Sequence, residues 1–240
     1  DKDVYHYLDR IAANKLEGRQ RGLSHRIVRC LVEIYEIKSK DELKLKLDEV
    51  IKYLLSCYNG EKNTPEVQRL KGMIREFEED LVWSHYGVQT KDVSHLRLGF
   101  YQGDIFSEDP ERQRDIIPIL NKFRELEPTI ITLALDPEGS GPDTHYKVLQ
   151  AIAEAVRMWG KDTDLTKLKI WGYRNVWARF DPAEADIIVP VSLNSMASLR
   201  DTFLTCYLSQ KNASFPSYEL DGPFCDLVQK IWVEQIQTLQ

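Results

Sequence analysis

Apolar residues recur at helical spacing through the first third of the chain. In the stretch 41–58 they stand at Leu43, Leu47, Val50, Ile51, Leu54 and Tyr58. This spacing predicts an amphipathic helix. A further helix is predicted over 65–86, because Thr64 suits its N-cap, Pro65 suits its first position and Gly87 follows its last apolar residue. Residues 1 to about 85 are therefore predicted to be almost wholly helical.

The pattern changes from about residue 93, where short apolar runs begin to alternate with longer amphipathic ones. Strands are predicted at 95–101, 129–135, 167–174 and 185–192. Helices are predicted at 109–126, 145–159, 195–210 and 222–239. The first of these helices is expected to start at an Asp109 cap followed by Pro110. The β-branched run at 129–135 is typical of a strand buried on both faces.

Strands separated by helices indicate βαβ units. The predicted fold class is therefore α/β: a Rossmann-like, mainly parallel sheet flanked by helices and preceded by a helical segment. Sheets of this kind bind ligands at the carboxyl ends of their strands. The loop that follows the strand at 129–135 is thus the first place to look for a site.

Composition narrows the possible partners and compartment. The chain has 240 residues, is 42% hydrophobic and 29% charged, and carries a formal net charge of -6 without a long basic run. Nucleic acid is therefore not expected as a partner. No apolar run approaches the roughly 20 residues of a membrane span, so no membrane partner is expected. The four cysteines show no CxxC spacing, which indicates reduced thiols and a cytoplasmic protein.

Candidate chemistry lies in the loop 136–145. Asp136, Glu138 and Asp143 precede His145, which opens the next helix. A histidine with a carboxylate beside it can ligate zinc while the carboxylate fixes its tautomer. The residues leave a second interpretation open, in which His145 only caps the helix or lies on the surface. The glycines of the loop match no dinucleotide or P-loop fingerprint and can serve the turn alone.

Several segments taken together resemble the PIG-L/LmbE-like family of zinc-dependent de-N-acetylases. The stretch "IREFEEDLVWSHYGV" is similar to the family's R-x-x-E helix, with Arg75, Glu78 and the glycine that follows. The stretch "DPEGSGPDTH" is similar to its H-P-D-H segment, and "TFLTCYLSQ" to its H-x-S-Q helix with Ser209 and Gln210. The resemblance covers roughly residues 65 to 215. It looks closest to a subgroup fused to a glucosamine-6-phosphate deaminase-like (isomerase-like) domain.

The resemblance implies a metal-dependent amide hydrolase in which zinc-bound water attacks an N-acyl carbonyl. His145 would then be a zinc ligand. Arg75 and Glu78 would shape the floor of the site, although a surface ion pair at spacing i,i+3 is the other interpretation of these two. Asp136, Glu138 and Asp143 are candidates for substrate contacts or for supporting the ligand.

The chain departs from the family at positions that matter for catalysis. It contains no H-P-D-D motif, which in the family supplies two zinc ligands and the general base. Pro142 and Tyr207 stand where the family has histidines. The catalytic residues are therefore unknown, and whether the chain is an enzyme stays open.

Two functions follow from this pattern. The first is part of a zinc-dependent hydrolase that removes an N-acetyl group from an N-acetylglucosamine-type amino sugar. The second is a non-catalytic sugar-binding or scaffolding module of a glucosamine-6-phosphate deaminase/isomerase-like fusion protein. Residues 1–62 are predicted to be a helical leader or insertion, and 63–240 an α/β domain incomplete at its N-terminus. An amino sugar, a fused or associated deaminase-like domain and a second copy of the chain are the expected partners.

Overall fold

The computed structural model describes residues 2–58, 60–99, 107–136, 143–174, 179–212 and 222–239. These residues are mostly helical and carry a small parallel sheet. The α-helices are α1 (Lys2–Ala12), α2 (Leu16–Tyr35), α3 (Lys40–Ser56), α4 (Pro65–His85), α5 (Ile117–Leu126), α6 (Asp143–Trp159), α7 (Leu193–Cys206) and α8 (Phe224–Leu239). The strands are β1 (Ile130–Ala134) and β2 (Lys169–Tyr173). The fold is therefore mixed α/β, and the Rossmann-like architecture stays a prediction.

The chain divides into two compact units, of which the first comprises residues 1–95 and 191–229. Its first part is helical, as predicted. In α4 the side chain of Thr64 caps the helix by accepting the N–H of Val67, and Pro65 occupies the first turn. Gly87 follows the helix with φ +89°, a left-handed conformation that suits glycine. The predicted start and end of this helix are confirmed.

The core of the first unit forms where α1, α2 and α4 pack together. Phe77 and Leu81 on α4 are fully buried. Tyr7 on α1 meets the ring of Phe77 edge to face, with the ring centroids 6.1 Å apart. The Tyr7 hydroxyl donates a hydrogen bond to the carbonyl oxygen of Thr205 at 3.0 Å. The end of α7 is thereby attached to this core.

The second unit comprises residues 96–190 and 230–240. β1, α6 and β2 form one βαβ unit in which the two strands are parallel, with Ile130 opposite Lys169 and Ala134 opposite Tyr173. The buried apolar side chains of this unit come mainly from α5 and α6. They are Ile116, Ile119, Leu120, Ala151, Ala155, Met158 and Trp159. Because the units are defined by packing alone, the predicted domain boundary at residue 62 stays a prediction.

The expected burial of β1 on both faces is wrong. Within this strand only Leu133 is buried, and Ile130 is 44% exposed. Every residue of β2 is exposed. A parallel strand is buried on both faces only where helices cover both sides of a sheet. In the described residues the sheet has two strands, and α5 and α6 pack mainly against each other.

Two predicted strands do not form in the residues that the structure describes. Residues 95–98 form no strand, because Arg97 adopts φ +51° and so leaves the extended conformation; residues 100 and 101 lie outside the described ranges. Residues 185–192 are also irregular. Pro190 lacks the N–H that a strand ladder needs, and no described strand pairs with this segment.

Two predicted helix boundaries are also wrong. The helix expected from Asp109 begins as a π-helical turn at Arg112–Ile116, which leads directly into α5. The reason is the carboxylate of Asp115, which accepts the N–H of Glu111 and so fixes the start of the helix later in the chain. The helix expected to run to residue 210 ends at Cys206.

The four cysteines, Cys30, Cys57, Cys206 and Cys225, are free thiols, as predicted. Among the helices of the described ranges, none combines the length and the apolarity that a membrane crossing requires.

Candidate functional site

The strongest candidate site lies where β1 gives way to α6. Asp136 comes two residues after the end of β1, and His145 lies in the first turn of α6. The Oδ2 atom of Asp136 is 2.8 Å from Nδ1 of His145. Asp136 is only 2% exposed, whereas a third of the His145 side chain is exposed. A buried carboxylate therefore holds an imidazole that reaches the surface, and we call this pair the Asp136–His145 dyad.

The hydrogen bond decides what the imidazole can do. An ionised carboxylate accepts but cannot donate, so the proton of a neutral imidazole sits on Nδ1 and the lone pair on Nε2. A ring nitrogen in this state can accept a hydrogen bond from a ligand hydroxyl, take up a proton or bind a metal. The dyad is therefore suited to ligand binding, and its geometry alone is compatible with each of these roles.

Tyr173 brings a phenol to the same end of the sheet. It is the last residue of β2, paired in register with Ala134 just before Asp136. Tyr173 is 56% exposed. Partial desolvation by the surrounding chain still raises the pKa of its hydroxyl, and the negative charge of Asp136 raises that pKa further. The hydroxyl therefore stays protonated near neutral pH and can donate a hydrogen bond. No local motif marks Tyr173 as a site residue, because its place at this end of the sheet follows from the strand register.

Asp143 is engaged by neighbouring side chains. The Ser107 hydroxyl donates to its carboxylate at 2.7 Å, and Nζ of Lys147 lies 2.9 Å from the same oxygen. These two contacts, the hydrogen bond from Ser107 first, lower the pKa of Asp143. Lys147 is itself buried and also donates to the carbonyl oxygen of Ser107. The predicted role of Asp143 in substrate contact stays a prediction, while its observed contacts attach the segment at Ser107 to α6.

Glu78 and Arg75 belong to α4 in the first unit. Glu78 is fully buried. Its Oε1 accepts the backbone N–H of Ser209 at 2.6 Å, and its Oε2 accepts the Ser209 hydroxyl at 2.8 Å. Arg75 is exposed. Two segments on which the family resemblance rests are thus in contact, although Glu78 and Ser209 are 131 positions apart.

Three further positions named from the sequence are Glu138, Pro142 and Tyr207. Glu138 and Pro142 lie outside the described residues. Tyr207, which stands in place of a family histidine, donates its hydroxyl proton to Oε1 of Glu79 at 2.9 Å. Burial, followed by the charge of Glu79, raises the pKa of Tyr207. A neutral phenol therefore occupies this position, and it supports α4 through Glu79.

The described residues do not complete a zinc site. A catalytic zinc ion takes three protein ligands and keeps one position open. Across the six described ranges no group of three or more His, Cys, Asp or Glu side chains is placed to hold a metal ion. If the chain held zinc, the dyad would supply one nitrogen ligand and its supporting carboxylate. The predicted zinc therefore stays a prediction, and no reaction step is assigned to it.

Comparison with known proteins finds one curated relative over most of the chain. The chain is 27% identical, over 180 residues, to a protein of Bacteroides thetaiotaomicron whose name calls it glucosamine-6-phosphate deaminase-like. The match covers 71% of this chain but 26% of the relative, so the chain spans about a quarter of that protein's length. No protein-family model matches the chain, and no solved structure matches it.

Proposed function

We propose that this chain is a sugar-binding module of a glucosamine-6-phosphate deaminase-like protein, and that the Asp136–His145 dyad is its ligand site. The observation that carries the proposal is the 2.8 Å bond between a buried carboxylate and a partly exposed imidazole. The name of the Bacteroides thetaiotaomicron relative supports an amino sugar as the ligand class. This is the second of the two functions that the sequence suggests.

The chemistry of an amino sugar suits the groups at this end of the sheet. Its hydroxyl groups both donate and accept hydrogen bonds, and its ammonium or N-acyl group adds a donor. Nε2 of His145 can accept from a hydroxyl, and the protonated Tyr173 hydroxyl can donate to one. With His145 neutral, the negative charge of Asp136 also attracts an ammonium group.

Replacing His145 with alanine is expected to weaken the binding of glucosamine and N-acetylglucosamine about tenfold or more, because a ligand hydroxyl loses the imidazole nitrogen that accepts its hydrogen bond. Isothermal titration calorimetry on the purified chain measures this directly. Both sugars lack phosphate, so the titration reports on hydroxyl and nitrogen contacts alone.

His85→Ala provides the matched control, because His85 is exposed at the end of α4. Its sugar affinity should equal that of the wild type. Wild-type protein that binds neither sugar would contradict the proposal, and so would equal affinities in the His145 and His85 variants.

Metal-dependent amide hydrolysis is the second candidate. It is favoured by one specific feature, since histidines that ligate metals commonly donate their other ring N–H to a carboxylate. The resemblance to the zinc-dependent de-N-acetylases implies the same residue, His145, as the ligand. The remaining ligands would have to come from residues beyond the described ranges or from the rest of a longer protein.

This candidate predicts that the chain, purified without chelator or metal-affinity chromatography, retains about one zinc ion, and that His145→Ala loses it. Elemental mass spectrometry measures the zinc content of both proteins. If the wild-type protein contains no zinc and still binds the sugars, the hydrolase function is rejected for this chain. The sugar-binding function then remains as the supported one. Equal zinc in wild type and variant would reject His145 as a ligand.

A further inference from the structure

A cleft of about 530 Å³ opens between α1 and α2 in the first unit. Its charged and titratable lining residues are His6, Arg10, Lys15, Glu17, Arg21 and His25. None of them belongs to the dyad or to the segments that resemble the de-N-acetylases. The cleft is therefore a candidate ligand site separate from the dyad.

The cleft is positive although the chain is acidic. Arg10, Lys15 and Arg21 carry three positive charges against the single carboxylate of Glu17, whereas the whole chain has a formal net charge of -6. Within the described part of the chain, none of these three cations is ion-paired. Seven arginines elsewhere in the described residues contact a carboxylate, namely Arg29, Arg69, Arg114, Arg124, Arg157, Arg179 and Arg200. Others among those residues, such as the exposed Arg75, resemble the cleft cations in having no ion pair.

The helical hairpin holds one of these cations in place. His6 and Arg10 are one turn apart on α1, with Nε2 of His6 3.5 Å from Nη2 of Arg10. Across the hairpin, a Cβ atom at Gly18 would lie 2.7 Å from Cδ of Arg10. Glycine at this position therefore lets the stem of Arg10 lie directly against α2. Asn14, with φ +49°, turns the chain between the helices.

We propose that the α1–α2 cleft binds the phosphate group of a small phosphorylated molecule. A dianion suits three unpaired cations better than a single carboxylate does, and guanidinium groups match phosphate oxygens in geometry. The ring nitrogens of His6 and His25 add hydrogen-bonding capacity at the rim. The volume falls within the range of small-molecule sites. The site lies in a different unit from the dyad and does not depend on its role.

Calorimetric titration of the purified chain with inorganic phosphate tests the proposal, with acetate at the same ionic strength as the reference anion. One saturable phosphate site is expected, with acetate binding far weaker. Arg21→Gln should weaken phosphate affinity about tenfold, because one charge-assisted contact is lost. Arg10→Gln should have a similar effect, and circular dichroism checks that both variants fold.

Lys52→Gln is the matched control, because it removes the same charge from an exposed position on α3. Its phosphate affinity should equal that of the wild type. Phosphate binding no stronger than acetate binding, or equal weakening in Lys52→Gln and Arg21→Gln, would overturn the proposal in favour of general ionic screening. If Arg10→Gln disturbs the packing at Gly18, the Arg21→Gln variant alone still tests the proposal. His145→Ala should leave the phosphate titration unchanged, which separates this site from the proposed sugar site.

Discussion

Replacing Asp115 with alanine is expected to lower the free energy of unfolding by about 3–4 kcal/mol, because a buried charged acceptor is lost. Asp115 is fully buried. Its carboxylate accepts the backbone N–H of Gly99 at 2.7 Å and that of Glu111 at 2.8 Å. It also pairs with the guanidinium of Arg114 at 3.0 Å. Alanine removes the acceptor from these donors at the entrance to α5.

The same carboxylate makes stability depend on pH. Burial by itself raises the pKa of Asp115, but hydrogen bonds from Arg114 and from the N–H groups of Glu111 and Gly99 outweigh it and hold the pKa below its ordinary value of 3.8. Since the folded-state pKa is below the unfolded one, the stabilisation is complete above the unfolded pKa and is lost as the pH falls through the folded pKa. The wild type should therefore lose this contribution below about pH 4.

Urea unfolding followed by circular dichroism, at about pH 7 and about pH 3, measures both effects. Asp162→Ala is the control, because Asp162 is 69% exposed and pairs with Arg124 on the surface. Its expected change is under about 0.5 kcal/mol. Asp115→Asn should lack the acid-dependent component. A loss in Asp115→Ala no larger than in the control would refute the role assigned to Asp115.

The second large effect is expected at Glu78. Glu78→Ala should destabilise the protein by about 3 kcal/mol, because it leaves the backbone N–H of Ser209 without its acceptor and opens a cavity in the core. The carboxylate is fully buried beside Phe77. It holds the turn after α7 through both of its oxygens. Urea unfolding of the variant and wild type measures the difference.

A double-mutant cycle isolates the contact from the cavity. Ser209→Ala removes the hydroxyl donor and keeps the backbone N–H, so Glu78→Ala and Ser209→Ala share one hydrogen bond. Their coupling energy should be about 1.5–3 kcal/mol, the range for hydrogen bonds to charged groups. Strictly additive effects would mean that the Ser209 hydroxyl contributes nothing through Glu78.

Local signals account for the elements that were predicted well. The cap at Thr64, the proline at 65 and the glycine at 87 act within a few residues of the helix they bound, so the sequence alone contains the information. β1 and β2 were also predicted, because their apolar and β-branched runs are local features. The fold class was predicted only at the level of mixed α/β.

The errors arise where a specific contact or strand partner, and not the apolar pattern, decides the structure. The start of the helix expected at Asp109 depends on Asp115, whose carboxylate also binds Gly99 sixteen positions away. The segments 95–98 and 185–192 carry apolar residues but form no strand, because a strand exists only where another strand accepts its hydrogen bonds. The pattern of apolar residues predicts which side chains are buried. It does not predict which strand or helix they pack against.

The sequence by itself determined that Asp136 follows a strand and that His145 lies at the start of the next helix. It determined the helical first third in the same way, because the spacing of apolar residues along the chain is sufficient for such a feature. Only the tertiary structure decided that Asp136 binds Nδ1 of His145, that Tyr173 lies within reach of the charge of Asp136 and that Glu78 binds Ser209. Each of these contacts joins residues that the folding of the backbone brings together. The number of residues between them in the sequence does not predict the distance between their side chains in space.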